Sequence, residues 1–589
     1  MDFFGILSLI GGLSLFLYGM HVLDAGLEKL SGGRLERILE KLTANRFKAV
    51  LLGAGVTAVI QSSSATTVML VGFVNSGIMK LSQAIGIIMG ANIGTTMTSW
   101  ILSLSGIEGD NFFIQLLKPT SFSPILALIG IIFIMSGKDD RKKDIGSILV
   151  GFAVLMFGMD AMSAAVKPLA NVSEFTGILL KFSNPLLGIL VGALLTAVIQ
   201  SSSASVGILQ ALSVTGAFTY GSVIPIIMGQ NIGTCVTAMI SSMGANRGAK
   251  RTAFVHLYFN IIGAFVFLIC YYSLNGIFRF PFAQDTVGAA GIALVHSVFN
   301  IFATLLLLPF TKGLEKLAYL TLPKTEEEQQ SLAAQNEFQL LDSRFLSTPG
   351  FALEQCRGMA VKMAELSRDA LLEAMELFTD FDKNKAARVE QIENQVDKYE
   401  DKLDAYLVQL SRKDLGYEES QQAAALLHSI GDLERIADHG VNLMELALEM
   451  NKKKLEFSSK AASELEVYGN ALKDILNRSV TAFMENDSQL AMTVEPLEEV
   501  VDELNKAVKK RHIKRLQKGK CTIELGLLLS DIATNYERVS DHCSNLAVYL
   551  IQMEDSGFEA HEYKNSLKGE TKKQFDLMAE EYREQYQLP

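Results

Sequence analysis

The sequence predicts an all-α chain in two parts. The first is a polytopic membrane part built from two inverted repeats, each with a re-entrant helical hairpin; the second is a soluble part of six helices in two three-helix bundles. Three observations carry this. A block Gln-Ser-Ser-Ser-Ala occurs at 61–65 and again at 200–204, each time inside an apolar stretch. The chain aligns on itself at a shift of 139 (200 − 61), and its later part does so at 103 (537 − 434). Long apolar runs dominate up to about residue 315 and give way to charged, helically spaced sequence after it.

The first repeat is extensive. Gly19 falls on Gly158, Asn45 on Asn184, Thr57 on Thr196 and Asn92 on Asn231. The run Thr57–Ala65 reappears as Thr196–Ala204, and Ile88–Thr95 as Ile227–Thr234, with Ala91 facing Gln230. Two long blocks at one offset mark duplicated halves.

Full-length span candidates are 3–23, 81–104, 119–136, 145–165, 220–242, 252–273 and 288–310. The stretches 49–78 and 186–217 differ, because the Gln-Ser-Ser-Ser block interrupts each in its middle. Two half-helices with a polar tip suit that pattern. Polar breaks at membrane depth are tolerated where they line a cavity or bind something. Asp2 stands where a signal peptide would be basic, so the first apolar segment reads as a retained helix.

Lys and Arg set the orientation. They concentrate in 24–48 (Lys29, Arg34, Arg37, Lys41, Arg46, Lys48), 137–144 (Lys138, Arg141, Lys142, Lys143) and 243–251 (Arg247, Lys250, Arg251). The other connections hold only Lys118, Lys167, Lys181 and Arg279. Placing the three rich connections in the cytoplasm satisfies every span. It predicts a multi-pass cell-membrane protein with its N-terminus outside and its soluble part in the cytoplasm. The hairpins then enter from opposite faces, an alternating-access architecture.

A hairpin tip exposes N–H groups at the start of its returning half-helix, and these with the helix dipole favour an anion. The candidate site for a small tetrahedral anion is Gln61, Ser62, Ser63 and Ser64 with Gln200, Ser201, Ser202 and Ser203. The same elements offer oxygen ligands to a hard cation such as Na⁺: Thr57, Gln61, Thr66, Asn92, Thr196, Gln200 and Asn231. A cation beside the anion lowers the cost of moving charge through low dielectric. Close packing of small residues is the competing account of Thr95, Thr96, Thr98 and Thr234. The pattern His-x-x-Phe-Asn at 256–260 and 296–300 reads as structural, and Asp160, in a span opposite His21, is left unassigned.

At these residues the chain resembles the type II sodium–phosphate cotransporter family, over about residues 1–315. The paired Gln-Ser-Ser-Ser blocks carry the likeness, together with Gly-Ala-Asn-Ile-Gly-Thr at 90–95 and Gly-Gln-Asn-Ile-Gly-Thr at 229–234. The resemblance implies sodium-coupled movement of inorganic phosphate, with sites around Gln61–Ser64 and Gln200–Ser203. The first block continues Ala65-Thr66-Thr67 and the second Ala204-Ser205-Val206, so the half-sites are unequal.

In the soluble part, breaks near 381, 415, 456, 487 and 519 separate six helical patterns. Glu434-Arg-Ile-Ala-Asp438-His439 with Asn442 recurs as Glu537-Arg-Val-Ser-Asp541-His542 with Asn545. Glu393/Asp397 and Glu498/Asp502 sit at i,i+4 on the preceding helices. Like charges at that spacing repel unless they share cations across facing helices. This half resembles PhoU-like regulatory domains over about 345–555, which implies metal clusters, divalent or trivalent, on Glu393, Asp397, Glu434, Asp438, Glu498, Asp502, Glu537 and Asp541.

The organisation expected is a transport part over 1–315 (repeats about 1–136 and 145–273, final span 288–310), a linker over 316–347, the PhoU-like part over 348–555 and a polar tail over 556–589. A net charge of −11 argues against nucleic-acid binding. Five cysteines lack metal-finger or disulfide spacing. No Gly-rich nucleotide loop or nucleophile–base pair is present, so neither an enzyme nor an ATP-driven pump is expected. The first reading is a sodium–phosphate symporter in a lipid bilayer, with homo-oligomerisation open. The alternative is a membrane-anchored phosphate sensor or regulatory interaction protein without turnover.

Overall fold

The computed structural model describes residues 3–31, 45–106, 118–136, 140–172, 184–324, 337–413, 415–554 and 569–589. Arg34, Arg37, Lys41, Lys138 and Lys181, which bear on orientation, lie outside the described residues, as do 325–336 of the expected linker and 556–568 of the tail. The described residues form helices and turns, with one isolated β-bridge, Thr219 to Thr286. The chain divides into two units, Met1–Phe351 and Ala352–Pro589.

In the first unit the helices are α1 (Phe3–Ser31), α2 (Arg46–Ile60), α3 (Ser63–Asn75), α4 (Leu81–Ser103), α5 (Pro119–Ser136), α6 (Asp140–Val166), α7 (Pro185–Ile199), α8 (Ser202–Ser213), α9 (Tyr220–Ser241), α10 (Arg247–Phe278), α11 (Ala289–Leu307) and α12 (Thr311–Thr321). Among the described residues, six stretches are long and apolar enough to cross a bilayer: Phe3–Leu30, Leu81–Gly106, Arg141–Leu169, Tyr220–Ser241, Arg247–Phe278 and Ala289–Thr321. The 119–136 candidate is among the shorter apolar helices, with those at Ser63–Asn75 and Pro185–Ile199. Val198 is 81% exposed and Leu186 78%, as lipid-facing side chains are.

The inversion is written into the pairing of α1 with α6. Gly12 meets Ala161 and Met162, Gly19 meets Gly151 and Leu155, and Gly26 meets Ile148, so the two helices run antiparallel. A methyl at Gly19 would lie 2.8 Å from the Gly151 carbonyl, and one at Gly158 2.8 Å from the Gly12 carbonyl. The shift of 139 turns one contact into the other, as a two-fold axis between the repeats requires.

Each hairpin leans on the helix that follows it through glycine. A methyl at Gly90 of α4 would sit 2.0 Å from the Val50 carbonyl of α2, and one at Gly229 of α9 2.1 Å from the Ile189 carbonyl of α7. Backbone cannot yield as a side-chain tip can. Gly90→Ala is therefore expected to destabilise the first unit by about 1–3 kcal/mol through overpacking. A lowered thermal midpoint in detergent checks this, and an unchanged one counts against the packing.

The second unit holds α13 (Pro349–Glu376, which begins in the first unit), α14 (Lys383–Leu410), α15 (Tyr417–Lys453), α16 (Ser459–Glu485), α17 (Val494–Gln517), α18 (Ile523–Glu554) and α19 (Gly569–Gln585). The first six are two three-helix groups, in keeping with the repeat at 103. Buried Leu433, Ile436, Leu443, Leu529, Ile532 and Leu546 line α15 and α18 at helical spacing. The end of the tail is ordered: Phe575, Ala579 and Tyr582 of α19 are buried. Arg583 pairs with Glu499 and Glu503 of α17, the Tyr586 hydroxyl donates to Asp474, and Arg511 donates to the Pro589 carbonyl.

Candidate functional site

The two Gln-Ser-Ser-Ser blocks fold alike. Gln61 ends α2 and Gln200 ends α7, each with left-handed backbone (φ 61° and 58°). That conformation costs a non-glycine residue about 1–2 kcal/mol, and it reverses the chain into the returning helix. Ser62 and Ser201, extended, then cap α3 and α8: Ser62 Oγ accepts from Ala65 N (3.1 Å) and Ser201 Oγ from Ala204 N (3.2 Å). With Thr66 N and Ser205 N taken by the carbonyls of Ser62 and Ser201, Ser63, Ser64, Ser202 and Ser203 supply the leading N–H groups of the two helices.

The tips meet. Ser64 Oγ donates to the Gln200 carbonyl at 3.3 Å, across 136 residues of sequence. Two helix N-termini and their serine hydroxyls thus converge, an arrangement suited to an oxyanion.

Around the first tip the polar side chains pair among themselves. Thr57 Oγ1 and Thr66 Oγ1 are 3.1 Å apart, Thr66 donates to the Ser62 carbonyl, and Thr98 donates to Gln61 Oε1 at 2.8 Å. The Gln61 amide nitrogen bonds the Ala58 carbonyl. Around the second tip, the equivalents of Thr57, Thr66 and Thr98 are Thr196, Ser205 and Thr237, and their buried hydroxyl oxygens have no hydrogen-bond partner among the described residues. Gln230, fully buried, donates to the Ser205 carbonyl at 3.0 Å and leaves its own Oε1 unpartnered. This set of hard oxygens fits a small cation.

Asn92 and Asn231 direct their amide nitrogens to the carbonyls of Ile88 and Ile227 one turn back. Asn260 and Asn300 do the same to His256 and His296, while His296 Nδ1 lies 2.8 Å from Ser99 Oγ on α4. Asp160 is exposed. Thr98, Thr237 and Gln230 join the tips without having been placed there by the sequence reading; their positions 37, 37 and 30 residues beyond the repeated glutamines were the signal (98 − 61; 237 − 200; 230 − 200).

In the second unit, Glu393, Asp397 and Asp438 bring carboxylate oxygens within 4.8 Å of one another, and so do Glu498, Asp502 and Asp541. Glu434 and Glu537 stand outside these two groups. Glu434 lies 3.6 Å from Arg435, and Glu537 lies 3.8 Å from Lys509. Burial, then repulsion from Asp438 and Glu400, pushes Glu434 up to about 7. Burial, then Asp502 and Glu537, pushes Asp541 up to about 6. The sequence reading missed Glu400 and Asp404, which continue the stripe of Glu393 and Asp397; Glu400 is raised by burial and then Asp404, and Asp404 by burial and then Asp401. Between the bundles, His542 Nδ1 meets Asp432 Oδ1 at 2.7 Å and His439 Nδ1 meets Asn535 Oδ1 at 2.8 Å, the shift of 103 relating the pairs.

The comparisons fit this division. Residues 15–164 and 154–283 match the Na⁺/Pi-cotransporter family model. The membrane part belongs to that family. Residues 360–447 and 465–550 match the PhoU domain, so this Na⁺/Pi-cotransporter-type chain carries a PhoU-like unit. Over 95% of the chain it is 24% identical to 99% of YjbB of Escherichia coli K12, named as a candidate inorganic phosphate export protein. Over 99 residues it is 37% identical to the rat sodium-dependent phosphate transport protein 2A, covering 16% of this chain and 15% of that one. Among solved structures it is similar to PhoU from Pseudomonas aeruginosa, at 22% identity and a TM-score of 0.33, covering 35% of this chain and 97% of that one.

The carboxylate groups fit a metal because their mutual repulsion is what a cation relieves. Without one, a folded carboxyl raised above its unfolded value adds stability below pH 4, and that contribution is lost as pH rises through 6 to 7. Metal binding runs the other way, since its ligands must be deprotonated. Mn²⁺ titrated into the metal-stripped full chain is expected to bind at least about tenfold more weakly at pH 5.5 than at pH 8. Equal affinity at the two pH values would count against these residues as ligands.

Proposed function

We propose that the chain is a sodium-coupled inorganic phosphate symporter that works by alternating access, regulated by its metal-binding PhoU-like unit. The observation that carries this reading is the meeting of the two hairpin tips at Ser64 and Gln200. In it, phosphate sits between the N-termini of α3 and α8, taking N–H and hydroxyl hydrogen bonds from Ser63, Ser64, Ser202 and Ser203, with the Ser64 hydroxyl turning from the Gln200 carbonyl to the anion. Na⁺ takes the oxygens of Thr196, Ser205, Thr237 and Gln230 beside the second tip, and its charge offsets that of the anion. At the first tip Thr57 is already bonded to Thr66, and Gln61 to Thr98, and these residues serve to hold that tip in shape.

The membrane part lies in the cell membrane with the N-terminus outside and the PhoU-like unit in the cytoplasm. Net direction follows the sum of the two gradients. A phosphate-loaded cell drives outward flux through the same site, consistent with the export in the name of YjbB. The test is radiolabelled phosphate flux in proteoliposomes of the full chain, with and without a Na⁺ gradient. Flux that follows the Na⁺ gradient supports the reading. Phosphate binding without flux sinks it, and flux indifferent to Na⁺ sinks the coupling.

A further inference from the structure

We propose that the segment Asp342–Phe351 is a latch on α3, the returning helix of the first hairpin, through which the PhoU-like unit restrains that hairpin. The inference rests on the hairpins being the moving parts of a transporter.

The end of α3 remote from Ser62 is gripped on three sides. Asn75, its last residue, donates to Asp342 Oδ2 at 2.5 Å, while its own oxygens accept from Asn246 N (2.9 Å) and Asn246 Nδ2 (2.7 Å) at the head of α10. Asp342 is 7% exposed, caps Arg344 N at 2.9 Å and pairs with Arg344 Nη1 at 2.6 Å. Arg344 Nε in turn holds the Ser241 carbonyl at the end of α9, at 2.9 Å. Below this polar clasp, Phe73 of α3 packs with Phe345 and Phe351, ring centroids 4.9–5.5 Å apart, all three fully buried. Gly72 leaves the room: a methyl there would lie 2.7 Å from the Phe345 ring.

In the second repeat the bracing falls on the loop from α8 into α9 rather than on the end of α8, and a different piece of chain supplies it. Tyr220 N donates to the Asp285 carbonyl (3.2 Å), Val287 N to the Phe218 carbonyl (2.9 Å), and Thr219 bridges to Thr286. That brace lies between α10 and α11 and is anchored at both ends in the membrane part. The brace on α3 runs straight into α13, the first helix of the PhoU-like part. A 13-residue helix is about 18 Å long, so a restraint at Asn75 acts on the tip at Ser63 as on the end of a rigid rod. Buried aromatic packing and charge-assisted bonds transmit such a restraint because they have few intermediate arrangements.

The experiment uses the full chain in proteoliposomes with Asn75→Cys and Asp342→Cys, joined by a short, reducible bis-methanethiosulfonate. The single-cysteine variants control for the native thiols. Cross-linking is expected to lower phosphate flux at least tenfold, with recovery on adding reductant. Phe345→Ala is expected to raise amide exchange over 72–79 about tenfold, to leave 213–219 unchanged, and to raise flux. The latch is overturned if the cysteines do not cross-link or if the joined protein transports as fast as it does after reductant has opened the link. Phe345→Ala loosening both hairpins equally would also overturn it, because that marks a merely structural role. Absence of flux in the unmodified chain would overturn the transport reading instead, and the exchange pattern alone would then decide the latch.

Discussion

Alanine at Ser63 and Ser64, or at Ser202 and Ser203, is expected to abolish phosphate flux and leave the protein folded. The capping serines Ser62 and Ser201 are untouched, so each returning helix keeps the bond that defines its start. What is lost is a pair of hydroxyl donors facing an anion. Hydrogen bonds to a charged group are worth about 1.5–3 kcal/mol each, so two amount to about 3–6 kcal/mol. At 1.4 kcal/mol per factor of ten, phosphate affinity falls by at least about 100-fold. Flux in proteoliposomes, with circular dichroism as the check on folding, gives the answer; wild-type flux in either variant would remove the tips from the site.

The second large effect is expected in the PhoU-like unit. Asp438→Ala together with Asp541→Ala takes one carboxylate from each group of three. Each group keeps two carboxylates, and affinity for a hard cation falls with the number of charged ligands, so the ion is expected to wash out on purification. Elemental analysis of the purified full chain is expected to show metal falling to background. The helices survive, since neither aspartate is part of the buried core. Metal content unchanged from wild type would mean that the ion, if held, is held elsewhere.

Much of the architecture could be read before any coordinates, because a duplication repeats its signal. The offset of 139 put Gln61 opposite Gln200, and the polar interruption of an apolar run marked both as hairpin tips. The fold turns on those glutamines adopting left-handed backbone, which nothing in the residue type announces, since asparagine or glycine is the usual choice there. The difference between the tips was half visible, in Ala91 against Gln230 and Thr66 against Ser205. Which oxygens end up paired and which stay free depends on how helices from different parts of the chain pack, and periodicity carries no trace of that. Glu400 and Asp404 were legible as a helical stripe continuing Glu393 and Asp397, one that the internal repeat does not echo, since Asn505 and Lys509 stand at the same spacing beyond Glu498 and Asp502. The grip of Asp342 on Asn75 joins a segment outside both repeats to one inside the first, so no internal comparison could reveal it.

The ordered C-terminus bears on how the molecule is handled in the laboratory. Arg511 holds the Pro589 carbonyl, and Arg583 and Tyr586 fasten α19 and the residues after it to Glu499 and Glu503 of α17 and to Asp474 of α16. A purification tag or fluorescent reporter appended after Pro589 would add bulk at that mooring and strain the seat of α19 on α17. Material carrying such an appendage would report on a loosened α19 rather than on one moored through Arg511, Arg583 and Tyr586.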